Sequence, residues 1–231
     1  MSFPKHALRL LLPLILAAVT ASSSVPDAPA QSRACADGYT YAGRLSATRA
    51  HGVGATLTAL SAPQVSAGHV AAWVGVGGAG QGPNGTDAWI QIGLSAFPNS
   101  ESRLYYEVAR PGATPTYVEL ESQIRTGDRF RVAVLEMSGQ TDRWRVWLNG
   151  KPVSPPVELS SSSGRWRPMA TAESWAGTGS ACNRFEYRFE SVRVAAATGG
   201  SWRSFVGGHT FLDAGYRLVD RGRTTFVATT S

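Results

Sequence analysis

Residues 89–95 read WIQIGLS, a short run in which one glutamine stands among apolar residues. Side chains alternate between the two faces of a strand. The three aliphatic residues of this run therefore face one way, and Trp89, Gln91 and Gly93 face the other. An unpaired buried amide costs about 1–3 kcal/mol. Gln91 must therefore have a partner, face water or act on a substrate.

The preceding run AWVGVG (72–77) divides in the same way. Trp73 shares a face with two glycines, and alanine and valine occupy the opposite face. Aliphatic faces of this kind predict packing in a core between sheets, and glycines on the other face make room for a ligand. We predict that Gln91 lies with Trp73 on an open, concave face. The alternative is an ordinary exposed glutamine beside a surface tryptophan.

Alternation with a period of two recurs along the chain and is interrupted by glycine, proline and asparagine. No segment has the pattern of an amphipathic helix, so the sequence predicts an all-β fold of two stacked antiparallel sheets. Asn149-Gly150 predicts a two-residue hairpin turn, and a phase shift near Glu190–Ser191 predicts a β-bulge. Arg143, Arg145 and Trp147 alternate and predict a solvated strand face. The predicted strands are 38–45, 53–60, 69–77, 87–96, 102–109, 115–121, 129–137, 142–149, 152–158, 168–175 and 184–195.

The chain begins with the pattern of a secretory signal, a short basic region followed by about ten apolar residues, too few to span a bilayer. We assign residues 1–30 to this signal, with cleavage after Ala21 or Ala30. Residues 31–197 then form the sandwich. Residues 198–231 form a C-terminal extension, which either packs across the sandwich or stays loosely ordered. We expect an exported, extracellular, monomeric protein with no membrane attachment once the signal is removed.

Cysteine and charge content limit the functional classes further. Cys35 and Cys182 are the two cysteines, and in an exported protein they predict a disulfide, with a reactive cysteine as the alternative. The net charge is +6, but the arginines are dispersed along the strands, which does not favour a nucleic-acid partner. Histidines lie too far apart in the sequence for a zinc site, and we expect no metal or cofactor.

Taken together, the motifs W-V-G-V, I-Q-x-G, Y-Y-E and A-E resemble those of the glutamic peptidases, or eqolisins, in their order and spacing. These are exported jelly-roll sandwiches related in fold to the concanavalin A-like lectins and glucanases. The resemblance spans about residues 65–195. It implies a catalytic pair at Gln91 and Glu173. Where that family has aspartates after W-V-G-x and Q-x-G-x, this chain has Gly77 and Ser95.

The resemblance implies hydrolysis of peptide bonds in a polypeptide substrate. Glu173 would take a proton from water and return it to the leaving amine, and the Gln91 amide would stabilise the oxyanion. Among the predicted substrate-binding residues, Trp73 and Glu107 match the family's motifs, and Trp89 and Tyr105 are added from the alternation of the strands. Glu107 would act on Glu173 by like-charge repulsion. A non-catalytic module is the alternative, in which the aromatic residues bind a glycan or a peptide.

Overall fold

The computed structural model describes residues 38–176, 183–205 and 208–230, all of which belong to one compact unit. The alternation seen in the sequence becomes strands throughout these residues, with one short 3-10 helix at Pro83–Gly85. In chain order the strands are β1 (Tyr39–Leu45), β2 (Gly52–Ala59), β3 (His69–Gly78), β4 (Ala88–Ala96), β5 (Ser102–Ala109), β6 (Thr116–Ile124), β7 (Phe130–Glu136), β8 (Arg143–Leu148), β9 (Lys151–Pro152), β10 (Val157–Glu158), β11 (Met169–Trp175), β12 (Glu186–Ala195), β13 (Trp202–Ser204), β14 (His209–Leu212), β15 (Tyr216–Gly222) and β16 (Thr225–Thr230).

The strands form two antiparallel sheets. The first sheet has seven strands in the order β14-β1-β11-β3-β4-β5-β6. The second has nine, of which seven follow the order β10-β8-β7-β2-β12-β16-β15, while β13 pairs with β12 and β9 with β8. The predicted all-β sandwich of two antiparallel sheets is confirmed.

The core lies between the sheets and consists of the aliphatic and aromatic faces predicted from the alternation. Ile90, Ile92 and Leu94 are fully buried in it. From the second sheet, Trp144 is also fully buried; its indole Nε1 donates to Ser162 Oγ at 2.7 Å, and its ring stacks on that of Trp166. Burial of this apolar surface is the main favourable contribution to folding.

Strands β13 to β16 are distributed over both sheets. In the first sheet β14 pairs with β1, and in the second β16 lies between β12 and β15. The hydroxyls of Thr40 in β1 and Tyr216 in β15 share a hydrogen bond of 2.8 Å, which links the two sheets. The assignment of residues 198–231 to a separate extension stays a prediction.

Local backbone geometry confirms two predictions and corrects a third. Asn149 and Gly150 both have positive φ, as a hairpin turn between β8 and β9 requires. The register of β12 against β2 shifts between Glu190 and Arg193, which is the predicted bulge. The single strand predicted over 152–158 is wrong: only β9 and β10 form, because Pro155-Pro156 between them offers no backbone N–H.

We expect Gly150→Ala to lower the free energy of unfolding by about 1 kcal/mol, since an L side chain is disfavoured at the positive φ of this turn. Gly150→Asn is the matched control: asparagine also adds a side chain but adopts a positive φ more readily than alanine, so its effect should be smaller. Urea denaturation of both variants measures the difference. Equal losses in the two variants would contradict the turn geometry.

Two predictions fall outside the described residues. The signal at 1–30 is one, and the Cys35–Cys182 disulfide is the other. Both stay predictions. Within the described ranges, no helix has the length and apolar character needed to cross a membrane.

Candidate active site

The outward side of the first sheet carries all six residues predicted for catalysis and substrate binding. We call this side the front face and define it by Trp73 on β3, Trp89 and Gln91 on β4, Tyr105 and Glu107 on β5, and Glu173 on β11. The residues between them in sequence point to the core. The prediction that Gln91 shares a face with Trp73 agrees with this alternation.

Two glycines create space on the front face. A Cβ atom at Gly93 would lie 2.1 Å from the Ala72 carbonyl oxygen and 2.7 Å from the Cβ of Trp73. A Cβ at Gly75 would lie 2.8 Å from the Cβ of Gln91. The indole of Trp73 and the side chain of Gln91 can therefore stand over neighbouring strands only because these positions lack side chains.

The Gln91 amide is buried and held by one hydrogen bond. Its Nε2 donates to the Tyr105 hydroxyl at 3.1 Å, and the Tyr105 ring stacks on Tyr117 with 4.9 Å between centroids. Burial raises the pKa of Tyr105 well above its ordinary value, so Tyr105 stays a neutral phenol. A primary amide has two N–H donors. One N–H of Gln91 is thus used for positioning, and the second is available to a substrate.

Glu107 lies directly opposite Gln91 on the adjacent strand. Its Oε1 accepts a hydrogen bond of 2.8 Å from Trp89 Nε1. Burial raises the pKa of Glu107 above its ordinary value and Glu173 raises it further, while the hydrogen bond from Trp89 and the nearby His69 oppose this shift. Glu107 therefore retains its proton to a higher pH than an exposed glutamate does.

This raised pKa predicts a pH-dependent contribution to stability. The contribution of neutral Glu107 is fully present below the unfolded-state pKa and is lost as pH rises through the higher folded-state pKa. Compared with the wild type, Glu107→Gln should therefore become relatively more stable as pH rises from about 4 to about 7. Urea unfolding at several pH values measures this. A stability difference that does not change with pH would contradict the shift.

Trp89→Phe provides a second readout for the same group. The variant removes the hydrogen bond that favours the ionised carboxylate, so the pKa of Glu107 should rise further. NMR titration of the Glu107 carboxyl carbon follows this directly. A decrease in the pKa would show that the indole does not act as the donor.

Glu173 is buried in a different part of the front face. Its Oε1 lies 3.4 Å from His69 Nε2, and the His69 ring packs among Tyr39, Phe97 and Trp175 with centroid distances of 5.8 to 5.9 Å. The Glu173 carboxylate is thus in contact with an imidazole that an aromatic cluster holds in place.

The strand register separates Gln91 from Glu173. Gln91 lies opposite Gly75, which lies opposite Met169 on β11, whereas Glu173 lies opposite Ala71. The two residues are thus two strands apart and offset by four positions along β3. That leaves about 16 Å between their Cα atoms before the side chains extend toward each other. The position on β11 that is level with Gln91 belongs to Met169.

Several front-face residues were not predicted from the sequence. His69 precedes Trp73 on β3 with the same alternation, which is a signal that could have been used. The Tyr117 hydroxyl shares a hydrogen bond of 2.9 Å with Ser95 Oγ, at one of the positions where the resembled family has an aspartate. Met169 could not have been found, because its place depends on the pairing of β11 with β3.

Trp73 is buried in a small cluster with Ala71 and Tyr105. Its indole Nε1 is buried and has no hydrogen-bond partner among the described residues. No cluster of three or more metal-ligating side chains occurs in residues 38–176, 183–205 or 208–230.

The chain is similar in structure to solved glutamic peptidases. A structure of scytalido-glutamic peptidase with a peptide-based transition-state analogue matches with a TM-score of 0.58 and 17% identity, covering 84% of this chain and 98% of that one. A structure of SCP-B, a member of the eqolisin family of peptidases in complex with the tripeptide Ala-Ile-His, matches with a TM-score of 0.54 and 16% identity over the same shares.

At this level of identity the similarity shows the fold. The predicted jelly-roll fold shared with the glutamic peptidases is confirmed. No family model matches the chain, and no curated protein matches it.

Proposed function

We propose that this chain is an exported, glutamic-peptidase-like hydrolase that binds an extended polypeptide on the front face, with Gln91 and Glu173 as the reacting pair. One observation carries the proposal: a positioned, neutral amide and a buried carboxylate project from the same face of one sheet. The fold, which is that of proteins solved with peptide ligands, supports it. Of the aromatic residues predicted to bind the substrate, Trp89 is partly exposed and would contact the substrate chain, while the buried Trp73 and Tyr105 would support the face from beneath.

In the proposed mechanism Gln91 acts on the scissile carbonyl group. Its free N–H donates to the carbonyl oxygen, and this hydrogen bond strengthens as the oxygen becomes negative. The bond from Gln91 to the Tyr105 hydroxyl fixes the amide beforehand, so little reorganisation is needed during the reaction. An amide is suited to this role because it remains neutral across the whole pH range of interest.

Glu173 acts first as the general base and then as the general acid. As the water oxygen attacks the carbonyl carbon, the Glu173 carboxylate takes one proton from the water, and the carbonyl oxygen becomes the alkoxide held by Gln91. Glu173 then gives that proton to the amide nitrogen of the substrate. The C–N bond breaks, the alkoxide collapses to a carboxylic acid, and the free amine leaves. His69, in contact with Glu173, keeps the carboxylate oriented.

The distance between Gln91 and Glu173 is long enough for two groups to lie between their side chains, the carbonyl group of the substrate and a water. A carbonyl group bonded to the amide, followed by a water bonded to the carboxylate, spans about 9 Å. Gln91 and Glu173, extended toward each other, cover the rest of the separation between their Cα atoms. The proposed pair therefore forms around substrate and water together, over the floor provided by Gly75 and Gly93.

Cleavage of an unfolded protein between about pH 2 and about pH 7 tests the proposal. The wild type should yield new amino termini, detected by mass spectrometry of the products, and Gln91→Ala should lower kcat by about 10²–10³-fold with a smaller change in KM. Gln91→Glu, which keeps the shape but loses the donor when ionised, should regain activity only toward acidic pH. Absence of cleavage by the wild type at every pH would overturn the proposal.

A second candidate is a polypeptide- or glycan-binding module without turnover. The position of Met169 favours it, because an uncharged thioether stands on β11 level with Gln91. In that case Trp89→Ala, at a partly exposed tryptophan, would weaken ligand binding while Gln91→Ala and Glu173→Gln would leave it nearly unchanged. Calorimetric titration of the wild type and of these variants with peptides and with oligosaccharides distinguishes a binding module from a peptidase.

A further inference from the structure

A groove of about 630 Å³ lies on the outward side of the second sheet, remote from the front face. We call it the arginine–tryptophan groove and define it by Arg131, Arg145, Trp147, Arg193 and Trp202. The sequence pattern around β8 predicted only a solvated strand face here. A volume of this size lies within the range of small-ligand sites.

The register of the second sheet explains how the groove forms. Arg193 lies opposite Gly54, Gly54 opposite Ala133, and Ala133 opposite Trp147. Two small residues therefore separate the larger side chains on either side. A Cβ atom at Gly54 would lie 3.5 Å from the Trp202 ring, so this indole bends over the glycine. The groove is thus a slot with small residues at its base and an indole on each side.

The slot is strongly cationic. No carboxylate forms a salt bridge with Arg131, Arg145 or Arg193 in the described part of the chain. Glu136 also lines the groove, but its side chain is fully buried. Its carboxylate accepts one hydrogen bond from the Asp142 N–H and lies 2.6 Å from His51 Nδ1. Among the described residues, the arginine–tryptophan groove therefore presents three guanidinium groups, none of which pairs with a carboxylate.

Internal contacts do not satisfy this cluster. Arg145 Nε and Trp147 Nε1 are buried donors that lack a hydrogen-bond partner among the residues described. A buried donor without a partner is destabilising. Arg193 contributes a cation–π contact, with its Cζ 4.8 Å from the centre of the Trp202 ring. Packing alone would not require three unpaired arginines beside two tryptophans, so the arrangement indicates an external anion.

We propose that the arginine–tryptophan groove binds an acidic oligosaccharide, a chain of sugar rings that carry carboxylate groups. The flat faces of Trp147 and Trp202 pack against sugar rings, and the arginines bind carboxylates through paired N–H donors. An extended peptide is a poor occupant, because β7 and β2 at the base of the slot are paired on both sides and offer no free backbone edge.

Isothermal titration with trigalacturonate tests this proposal. The full-length protein should bind trigalacturonate and not the uncharged maltotriose. Arg145→Gln and Trp147→Ala should each weaken binding by 10-fold or more. Arg143→Gln is the matched control, because this arginine precedes Arg145 by two positions on the same strand face and pairs with Glu158 at 3.8 Å. It removes the same charge outside the slot and should leave binding within about 2-fold.

Three outcomes would overturn the proposal. Absence of trigalacturonate binding is the first. Equal weakening by Arg143→Gln and Arg145→Gln is the second, since it would indicate non-specific attraction to the basic protein. Tighter binding of a single-stranded oligonucleotide, lost in Arg145→Gln, is the third and would assign the slot to nucleic acid. The titration detects binding without hydrolysis, so it is independent of the front face.

Discussion

Glu173→Gln is expected to lower kcat for polypeptide cleavage by about 10²–10⁴-fold. Glutamine keeps the shape of the side chain but cannot take the proton from the attacking water. The loss corresponds to about 3–5 kcal/mol of transition-state stabilisation. KM should change little, because Glu173 acts on the water and contributes little to holding the substrate chain. Initial rates with a peptide substrate at several concentrations separate kcat from KM.

Glu119→Gln is the matched control for Glu173→Gln. Glu119 lies on the same side of the sheet, opposite Tyr105, but it is partly exposed and paired with Arg103 at 2.8 Å. Its replacement should leave kcat unchanged. If Glu173→Gln retained full activity while Glu107→Gln lost it, the proton transfer would belong to Glu107, directly opposite Gln91. If the urea denaturation curves of Glu173→Gln and Glu107→Gln match that of the wild type, a loss of activity in either variant does not result from unfolding.

Trp144→Ala is expected to lower the free energy of unfolding by about 3–5 kcal/mol, the range for a fully buried aromatic residue. The change leaves a cavity between the sheets and removes the stacking with Trp166. It also deprives the buried Ser162 hydroxyl of the indole donor. For a domain whose total stability is about 5–15 kcal/mol, this is a large fraction. Urea or thermal denaturation measures the loss.

Two further variants divide this loss into its parts. Trp144→Phe keeps most of the ring and removes only the N–H donor. Ser162→Ala removes the acceptor while the indole remains, so each should cost about 1–2 kcal/mol. If Trp144→Phe destabilised the protein as much as Trp144→Ala, the hydrogen bond and not the packing would dominate.

Face assignments could be predicted from the sequence because they depend only on neighbouring residues. Alternation in 72–77 and 89–95 was sufficient to put Trp73 and Gln91 on one side and the aliphatic residues in the core. The turn at Asn149-Gly150 was predictable for the same reason, since two adjacent residues determine its φ angles.

Strand register could not be predicted in this way. The pairing of Met169 with Gly75, and of Glu173 with Ala71, joins strands that are far apart in the sequence. No local pattern determines which residues come level across such strands. The contact of His69 with Glu173 depends on this register, and so does the row that joins Arg193 to Trp147. The His69–Glu173 contact and the arginine–tryptophan groove could therefore be identified only from the structure.

The pairing of β1 has a consequence for how fast the chain folds. Tyr39 pairs with Trp175, and on its other edge β1 pairs with β14, so both partners lie more than a hundred residues away. Loops of that length must close before these contacts contribute, and sandwiches with such distant pairings fold in milliseconds to seconds. Until then, the edges of β1 and β11 are exposed to pairing with other chains. Refolding yield should therefore fall as protein concentration rises.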